Sequence, residues 1–460
     1  MLSPVEVQGG RIARRDRTIA VLFRMLTRRT FLGAGVAGLA VPVLPRQAAD
    51  NQSQDTLPRL DRPSGSPETV ARDESYWRRV AAYYRVSTDF TNLEAGYWGI
   101  MAAPVLATYH RQTDRVNVES SHYARRGYDA DLDVARRRLA DFLGAAPSEI
   151  AFTRGATEAL QRLITQYNKL RPGDTVMYAD LDYNAMQFAM NWLAERRGVG
   201  IARLTIPEPA TRENVLAAYA EAFAANPGVR LLLLTHLNNK TGLVIPVKEI
   251  TALARTHGAD VIVDAAHSFG QMDLRLADLD ADFVGLNLHK WLGAPIGVGA
   301  MYIKESRLGD IDRMLLDEAS PATSINSRVH TGTANFAAYL SVPSALDFHH
   351  NVGPAFKAAR LRYLRDRWVD GVRGTPGIDV LTPNDPGMVA AITSVRLHGR
   401  GGRVENQDLA RELIERYKLF TVWRTGIAKG DCVRITPALY NTPAEADRLA
   451  AALKSIAARG

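Results

Sequence analysis

The chain has 460 residues, 46% hydrophobic and 23% charged, with 35 glycines and 22 prolines. Those proportions exclude collagen-like, low-complexity and wholly disordered chains, and the length suits one large or two medium domains with a sizeable core. The formal charge of +8 would suit a nucleic-acid partner, but residues 1–49 hold eight arginines against Glu6 and Asp16; that segment alone is +6, and the rest of the chain only +2. The single cysteine, Cys432, rules out an intrachain disulfide and a cysteine-rich zinc site.

Taken in chain order, the first feature is Thr27-Arg28-Arg29-Thr30-Phe31-Leu32, which reads as a twin-arginine export signal. An uncharged run from Phe31 to Pro45 follows, then small residues at Ala48 and Ala49. The run is short for a transmembrane span and is broken by Pro42 and Pro45, so residues 1–49 are predicted to be a signal peptide rather than a membrane anchor. This reading implies passage through the twin-arginine translocase and a periplasmic location, with Met1 or Met25 as the start. Gly33-Ala34-Gly35-Val36-Ala37-Gly38 matches the dinucleotide fingerprint G-x-G-x-x-G, but it lies inside the apolar part of the signal, with no strand ahead of it. Residues 50–75, rich in Asp, Ser, Pro and Arg, read as a linker.

From 76 the pattern becomes globular. Short apolar runs occur at 150–153, 175–179, 201–206, 231–234, 261–263, 283–286 and 298–303, with helix-like stretches at 157–169, 185–197, 212–225 and 247–256 between several of them. Seven strands with helical crossovers predict an α/β large domain over 76–345, built on a mostly parallel sheet covered on both faces. After 346 a basic amphipathic helix at 354–369 leads to strand 391–397, helix 406–418, strands 420–424 and 432–436, and helix 443–457. That reads as a smaller α+β C-terminal domain over 346–460.

Functional groups in open α/β sheets gather at the carboxyl ends of the strands. After the first strand, Gly155, Ala156 and Thr157 open a helix whose free N–H groups suit a phosphate, although taken alone Thr157 reads as an ordinary helix cap. Asp264 ends the fifth strand, where a buried carboxylate needs a partner such as the protonated ring nitrogen of a cofactor. Lys290 leaves the sixth strand among Leu288, Trp291 and Leu292; desolvation there lowers a lysine's pKa and favours a nucleophilic amine able to form a Schiff base.

The ordered set formed by Gly155-Ala156-Thr157, Asp264-Ala265-Ala266-His267, Asn287-Leu288-His289-Lys290-Trp291 and Cys432-Val433-Arg434-Ile435-Thr436 resembles fold type I pyridoxal-phosphate (PLP) enzymes of the class V aminotransferase superfamily. The likeness covers about 76–460. Residues 283–291 and 433–442 are most similar to the isopenicillin N epimerase branch. Joined to a twin-arginine signal, they are similar to the periplasmic PLP enzymes that tailor pyoverdine side chains. The resemblance implies that Lys290 carries PLP and shuttles a proton, that Asp264 pairs with the pyridinium nitrogen, and that Gly155, Ala156 and Thr157 bind the phosphate with Asn287 and His289. It places Tyr183 where an aromatic ring stacks on the cofactor, and Asn239 and His267 beside the ring hydroxyl. Arg434 falls on the substrate α-carboxylate, and Thr333 reaches the phosphate of the other subunit in a homodimer. The implied partner is a small amino-acid-like substrate. Keeping Lys290, Asp264 and Arg434 together argues against a catalytically silent binding protein.

Two positions depart from the branch: Asn239-Lys240 stands where Ser-Pro is usual, and Glu94 where Asn is usual. Ser120–Tyr128, with His122, Arg125 and Arg126, reads as a solvated basic helix face. His349-His350 reads as a surface pair and Cys432 as a buried structural cysteine. Residues 423–429 read equally as a substrate lid or a plain hairpin loop.

Overall fold

The structure, a computed structural model, describes residues 60–315, 320–330 and 332–459. The export signal, with Arg28 and Arg29, and the first part of the linker lie outside the described residues. Two helices at the start of the main body, α1 (Ala103–Arg126) and α2 (Tyr128–Leu143), precede the main sheet. That sheet has seven strands: β1 Ile150–Thr153, β2 Thr175–Ala179, β3 Gly200–Leu204, β4 Val229–Thr235, β5 Asp260–Asp264, β6 Phe283–Asn287 and β7 Gly299–Ile303. Their order is β1-β7-β6-β5-β4-β2-β3; β7 runs antiparallel to both neighbours and every other pair is parallel.

The central strands are apolar on both sides because both faces are covered. Leu231, Leu233 and Ile262 pack on one face with Leu163, Met186 and Met190 of α3 (Ala156–Gln166) and α4 (Asn184–Arg197). Leu232, Leu234, Val261 and Val263 pack on the other with Tyr219, Phe223 and Ile250 of α5 (Arg212–Ala225) and α6 (Val247–Thr256). The start of α5 is fixed by Thr211, whose side chain accepts from the Asn214 N–H at 3.2 Å.

Beyond α7 (Val342–Val352) and the long α8 (Pro354–Val372), four strands form a second, wholly antiparallel sheet. They are β8 Ile378–Val380, β9 Thr393–Leu397, β10 Val422–Arg424 and β11 Cys432–Ile435, in the order β10-β11-β9-β8. Trp368 of α8, Leu413 of α9 (Arg403–Tyr417) and Leu453 of α10 (Pro443–Ala457) pack with Val395 and Val433 of this sheet. A reciprocal Thr442–Glu445 capping box sets the first turn of α10.

Two expectations change. Helical structure begins inside the stretch read as a linker: Ser66 caps a short helix, Pro67–Val70, and Val70 and Ala71 are buried. A Ser-Pro pair is a helix start as much as a loop signal, and composition cannot separate the two. The segment that follows crosses to the C-terminal part, where Thr91–Asn92 pairs in parallel with Leu419–Phe420. Of the two histidines expected on the surface, only His350 is exposed; His349 is buried, edge-on to Phe142 at 5.4 Å. Neighbouring residues on a helix point apart, so one of such a pair turns inward. His122, Arg125 and Arg126 are exposed, as the basic-face reading expects, and α1 breaks at Ser120, which has φ 51. Among the described residues no helix is long and apolar enough to cross a membrane.

Candidate active site

The carboxyl ends of β1, β5 and β6 open onto one cleft of ≈ 500 Å³, and every predicted site residue except Thr333 lines it. Thr333 lies outside that cleft and is exposed.

Asp264, the last residue of β5, is buried, and its Oδ1 accepts from the Ala266 N–H at 2.9 Å. Burial raises its pKa, against the downward pull of that hydrogen bond and of Lys290. Asn287, the last residue of β6, accepts the Ala156 N–H at 2.7 Å and so ties β6 to the first turn of α3. A Cβ on Gly155 would sit 3.1 Å from Asn287 Oδ1 and 3.3 Å from His289 Cε1, so a side chain there would crowd the two residues that flank this cradle. His289 donates from Nδ1 to the Val298 carbonyl at 2.8 Å, which leaves Nε2 as its free nitrogen.

Lys290 has its Nζ 3.0 Å from His267 Nε2. Burial brings the amine down to about 8, with Asp264 opposing and Arg434 and Arg424 reinforcing the fall. Its main chain is clamped by the N-terminal segment. The Gly99 N–H donates to the His289 carbonyl at 2.9 Å, and a Cβ on Gly99 would lie 2.0 Å from the Lys290 carbonyl oxygen. The other candidate lysines are engaged elsewhere: Lys240 Nζ donates to the Asp180 and Gly426 carbonyls at 2.5 and 3.2 Å, and Lys304 faces Asp282 at 3.5 Å.

Arg434 lies in the cleft as expected, but both its terminal nitrogens are already engaged, while its buried Nε has no hydrogen-bond partner among the described residues. Nη1 donates to the Asn239 carbonyl at 2.8 Å and Nη2 to Glu94 Oε1. Arg424 Nη2 approaches the same oxygen at 3.4 Å, and Thr436 Oγ1 donates to Glu94 Oε2 at 3.2 Å. Two guanidinium groups thus share one protein carboxylate. Burial lowers the pKa of Arg434 to about 10, with Glu94 holding it up.

Sequence reasoning missed three of these features. Arg424 fell inside the segment read as lid or loop. Glu94 was marked as unusual, but its partner is 340 residues away and no local pattern links them. Trp291 was read only as apolar company for Lys290, whereas its indole N–H donates to His267 Nδ1 at 3.3 Å.

The cleft fits pyridoxal phosphate. The buried Asn239 Oδ1 has no hydrogen-bond partner among the described residues, Asp264 offers a carboxylate to a ring N–H, and Gly155 leaves room at a helix N-terminus for the phosphate. Tyr183 stands at the N-cap of α4, on the cleft wall. A mostly parallel sheet with a partly neutral lysine, a buried aspartate and a glycine-opened helix at its strand ends defines a pyridoxal-phosphate-dependent enzyme of fold type I.

More narrowly, the chain belongs to the aminotransferase class-V family, which matches residues 103–449. It is 29% identical over 399 residues to isopenicillin N epimerase of Amycolatopsis lactamdurans, covering 83% of this chain and 98% of that one. It is 27% identical over 370 residues to a probable cysteine desulfurase of Vibrio cholerae, covering 76% and 88%. Among solved structures, the cysteine desulfurase CsdA of Escherichia coli superposes with a TM-score of 0.71 at 22% identity, covering 83% of this chain and 98% of that one. The cystine C–S lyase C-DES, in complex with its product cysteine persulfide, gives 0.69 at 22% identity, covering 80% and 98%. These two share the fold.

Proposed function

We propose that this chain is a periplasmic, twin-arginine-exported enzyme acting at the α-carbon of an amino acid. The reading extends to a larger metabolite carrying an amino acid, such as a siderophore precursor, changed by transamination or by oxidative decarboxylation with dioxygen. The observation that carries the reading is the convergence on one cleft of Lys290, Asp264 and the side-chain oxygen of Asn239, unpartnered among the described residues, facing the Arg424–Arg434 pair. When bound, pyridoxal phosphate supplies an electron sink for a bond breaking at the α-carbon.

The chain's own groups do the rest. Lys290 holds the cofactor and then, as a free amine, takes and returns the proton at the α-carbon. Asp264 keeps the ring nitrogen protonated. Asn239 and His267 orient the ring hydroxyl, and Gly155 to Thr157, with Asn287 and His289, hold the phosphate. The two guanidinium groups orient a substrate carboxylate. A second cavity of ≈ 1020 Å³, lined by Trp98, Phe188 and Trp423, shares Tyr97, Tyr183, Asn239 and Arg424 with the cleft. That room supports a substrate larger than a free amino acid.

Sulfur transfer, the chemistry named for several relatives, is disfavoured by the only thiol. Cys432 is buried on β11, its Sγ is 3.6 Å from the Lys240 carbonyl, and burial pushes the thiol up to about 11.

Borohydride reduction followed by peptide mapping tests the cofactor lysine: the pyridoxyl label belongs on Lys290, and a label on Lys240 or Lys304 sinks the assignment. Aerobic and anaerobic incubation with amino acids and siderophore precursors, read by mass spectrometry, separates the reactions. Uptake of one solvent deuterium at the α-carbon of a compound otherwise unchanged in composition would point to epimerisation instead. Replacing Arg28 and Arg29 together by lysine tests location; export that continues unchanged refutes the twin-arginine reading.

A further inference from the structure

We propose that Trp291 is a positioning residue that locks the His267 ring with its proton on Nε2 and thereby holds the free Lys290 amine in its neutral, reactive form. The proposal rests on Lys290 being the cofactor lysine and goes beyond that reading by assigning what sets the amine's protonation state.

An indole nitrogen only donates, so the Trp291 N–H directed at His267 Nδ1 at 3.3 Å requires a lone pair there. A neutral imidazole that accepts at Nδ1 carries its proton on Nε2. Nε2 lies 3.0 Å from Lys290 Nζ, and an Nε2–H can donate only to an amine with a free lone pair. A protonated Lys290 would reverse that bond and force the imidazole proton onto Nδ1, against the indole N–H. His267 cannot escape by taking a second proton, because burial and the charges of Lys290, Arg434, Arg424 and His289 all disfavour its cation. The other charged groups facing the amine are Asp264 and Glu94, which favour its protonation, so the indole works against them.

Trp291 is itself held firmly. Its side chain is buried, and its carbonyl accepts a hydrogen bond from the buried Lys357, which lies 3.4 Å from His349 Nδ1. Burial therefore resists any turn of the indole away from His267. The cofactor lysine and the residue that sets its protonation are consecutive in sequence, with the histidine between their side chains.

Two measurements on the full-length protein test this. First, the ¹⁵N chemical shifts of the His267 ring in the wild-type chain stripped of cofactor distinguish the two neutral tautomers directly. The proposal expects the proton on Nε2 above the Lys290 transition, where the amine is neutral, and a proton on Nδ1 there overturns it without any variant being needed. Second, the rate at which the stripped chain takes up pyridoxal phosphate, followed by the cofactor's absorbance across pH, reports the fraction of neutral lysine. In Trp291→Phe, which keeps the ring and removes the donor, the midpoint should rise by about one pH unit, the value of one buried hydrogen bond. Trp291→His, which can again present an N–H, should bring it part of the way back. An unchanged midpoint in Trp291→Phe overturns the proposal. Failure to label Lys290 with borohydride would instead overturn the site assignment on which it rests.

Discussion

Glu94 offers the sharpest test of how this site receives a carboxylate. Its Oε1 is bonded to Arg434 and stands 3.4 Å from Arg424, and both members of the Glu94–Arg434 pair are almost fully buried, at 5% and 1% exposure. A ligand carboxylate that binds Arg434 through its terminal nitrogens must displace Glu94 or share its guanidinium. Two carboxylates about 5 Å apart across one cation repel by roughly 3 kcal/mol at an effective dielectric near 20. Arg424 is about a quarter exposed, and the solvent it admits should roughly halve this, to about 1.4 kcal/mol, a factor of ten in affinity. Glu94→Gln keeps the shape and the acceptor and removes the charge. Calorimetric titration of the holoenzyme with simple carboxylates that lack an amino group, propionate and glutarate, should show at least tenfold tighter binding in the variant. Its melting temperature should fall, because Arg434 then keeps a weaker partner in a buried place. Unchanged or weaker carboxylate binding in a variant that still holds its cofactor would refute the reasoning and make the Glu94–Arg434 pair a structural strut.

Lys357 is buried without a carboxylate partner, and burial brings its amine from 10.5 down to about 7. A depressed folded value means the unfolded chain binds the extra proton between those limits, so this group makes stability fall as pH drops from 10.5 to 7; melting curves of Lys357→Met should be flatter than wild type over that window, and parallel curves would contradict the assignment. Thr333→Ala should weaken retention of pyridoxal phosphate by about 1.5–3 kcal/mol, the value of a hydrogen bond to a charged group, if a partner subunit supplies that residue; a monomer in ultracentrifugation that holds the cofactor fully would exclude this. Cys432→Ser should keep nearly full activity on the true substrate, and persulfide release from cysteine that vanishes in this variant would move the enzyme into sulfur transfer.

The main sheet was legible because its strands are buried on both faces and read as unbroken apolar runs. The predicted 150–153 and 175–179 match β1 and β2, and 212–225, 247–256 and 443–457 match α5, α6 and α10. The cleft was legible because its residues follow strand ends, a local relation. What stayed hidden depends on contacts between distant parts of the chain. No periodicity shows that β7 runs against its neighbours, that Glu94 meets Arg434, or that His349 rather than His350 turns into the core. Trp291 hid differently: an indole beside an apolar strand has the same pattern whether it only packs or also donates a proton.

The pairing of Thr91–Asn92 with Leu419–Phe420, and of Glu94 with Thr436 just beyond, has a consequence for the order in which the molecule can be made. Residues made before the main sheet are clasped by residues made well after it. A nascent chain that ends between residues 303 and 434 has Lys290 and its sheet yet lacks Arg434, the hydrogen-bonded partner of Glu94, leaving that carboxylate in a half-built cleft. The catalytic cleft is therefore completed only once residue 434 has been made, and no truncation that removes residue 94 or 434 leaves a smaller working module.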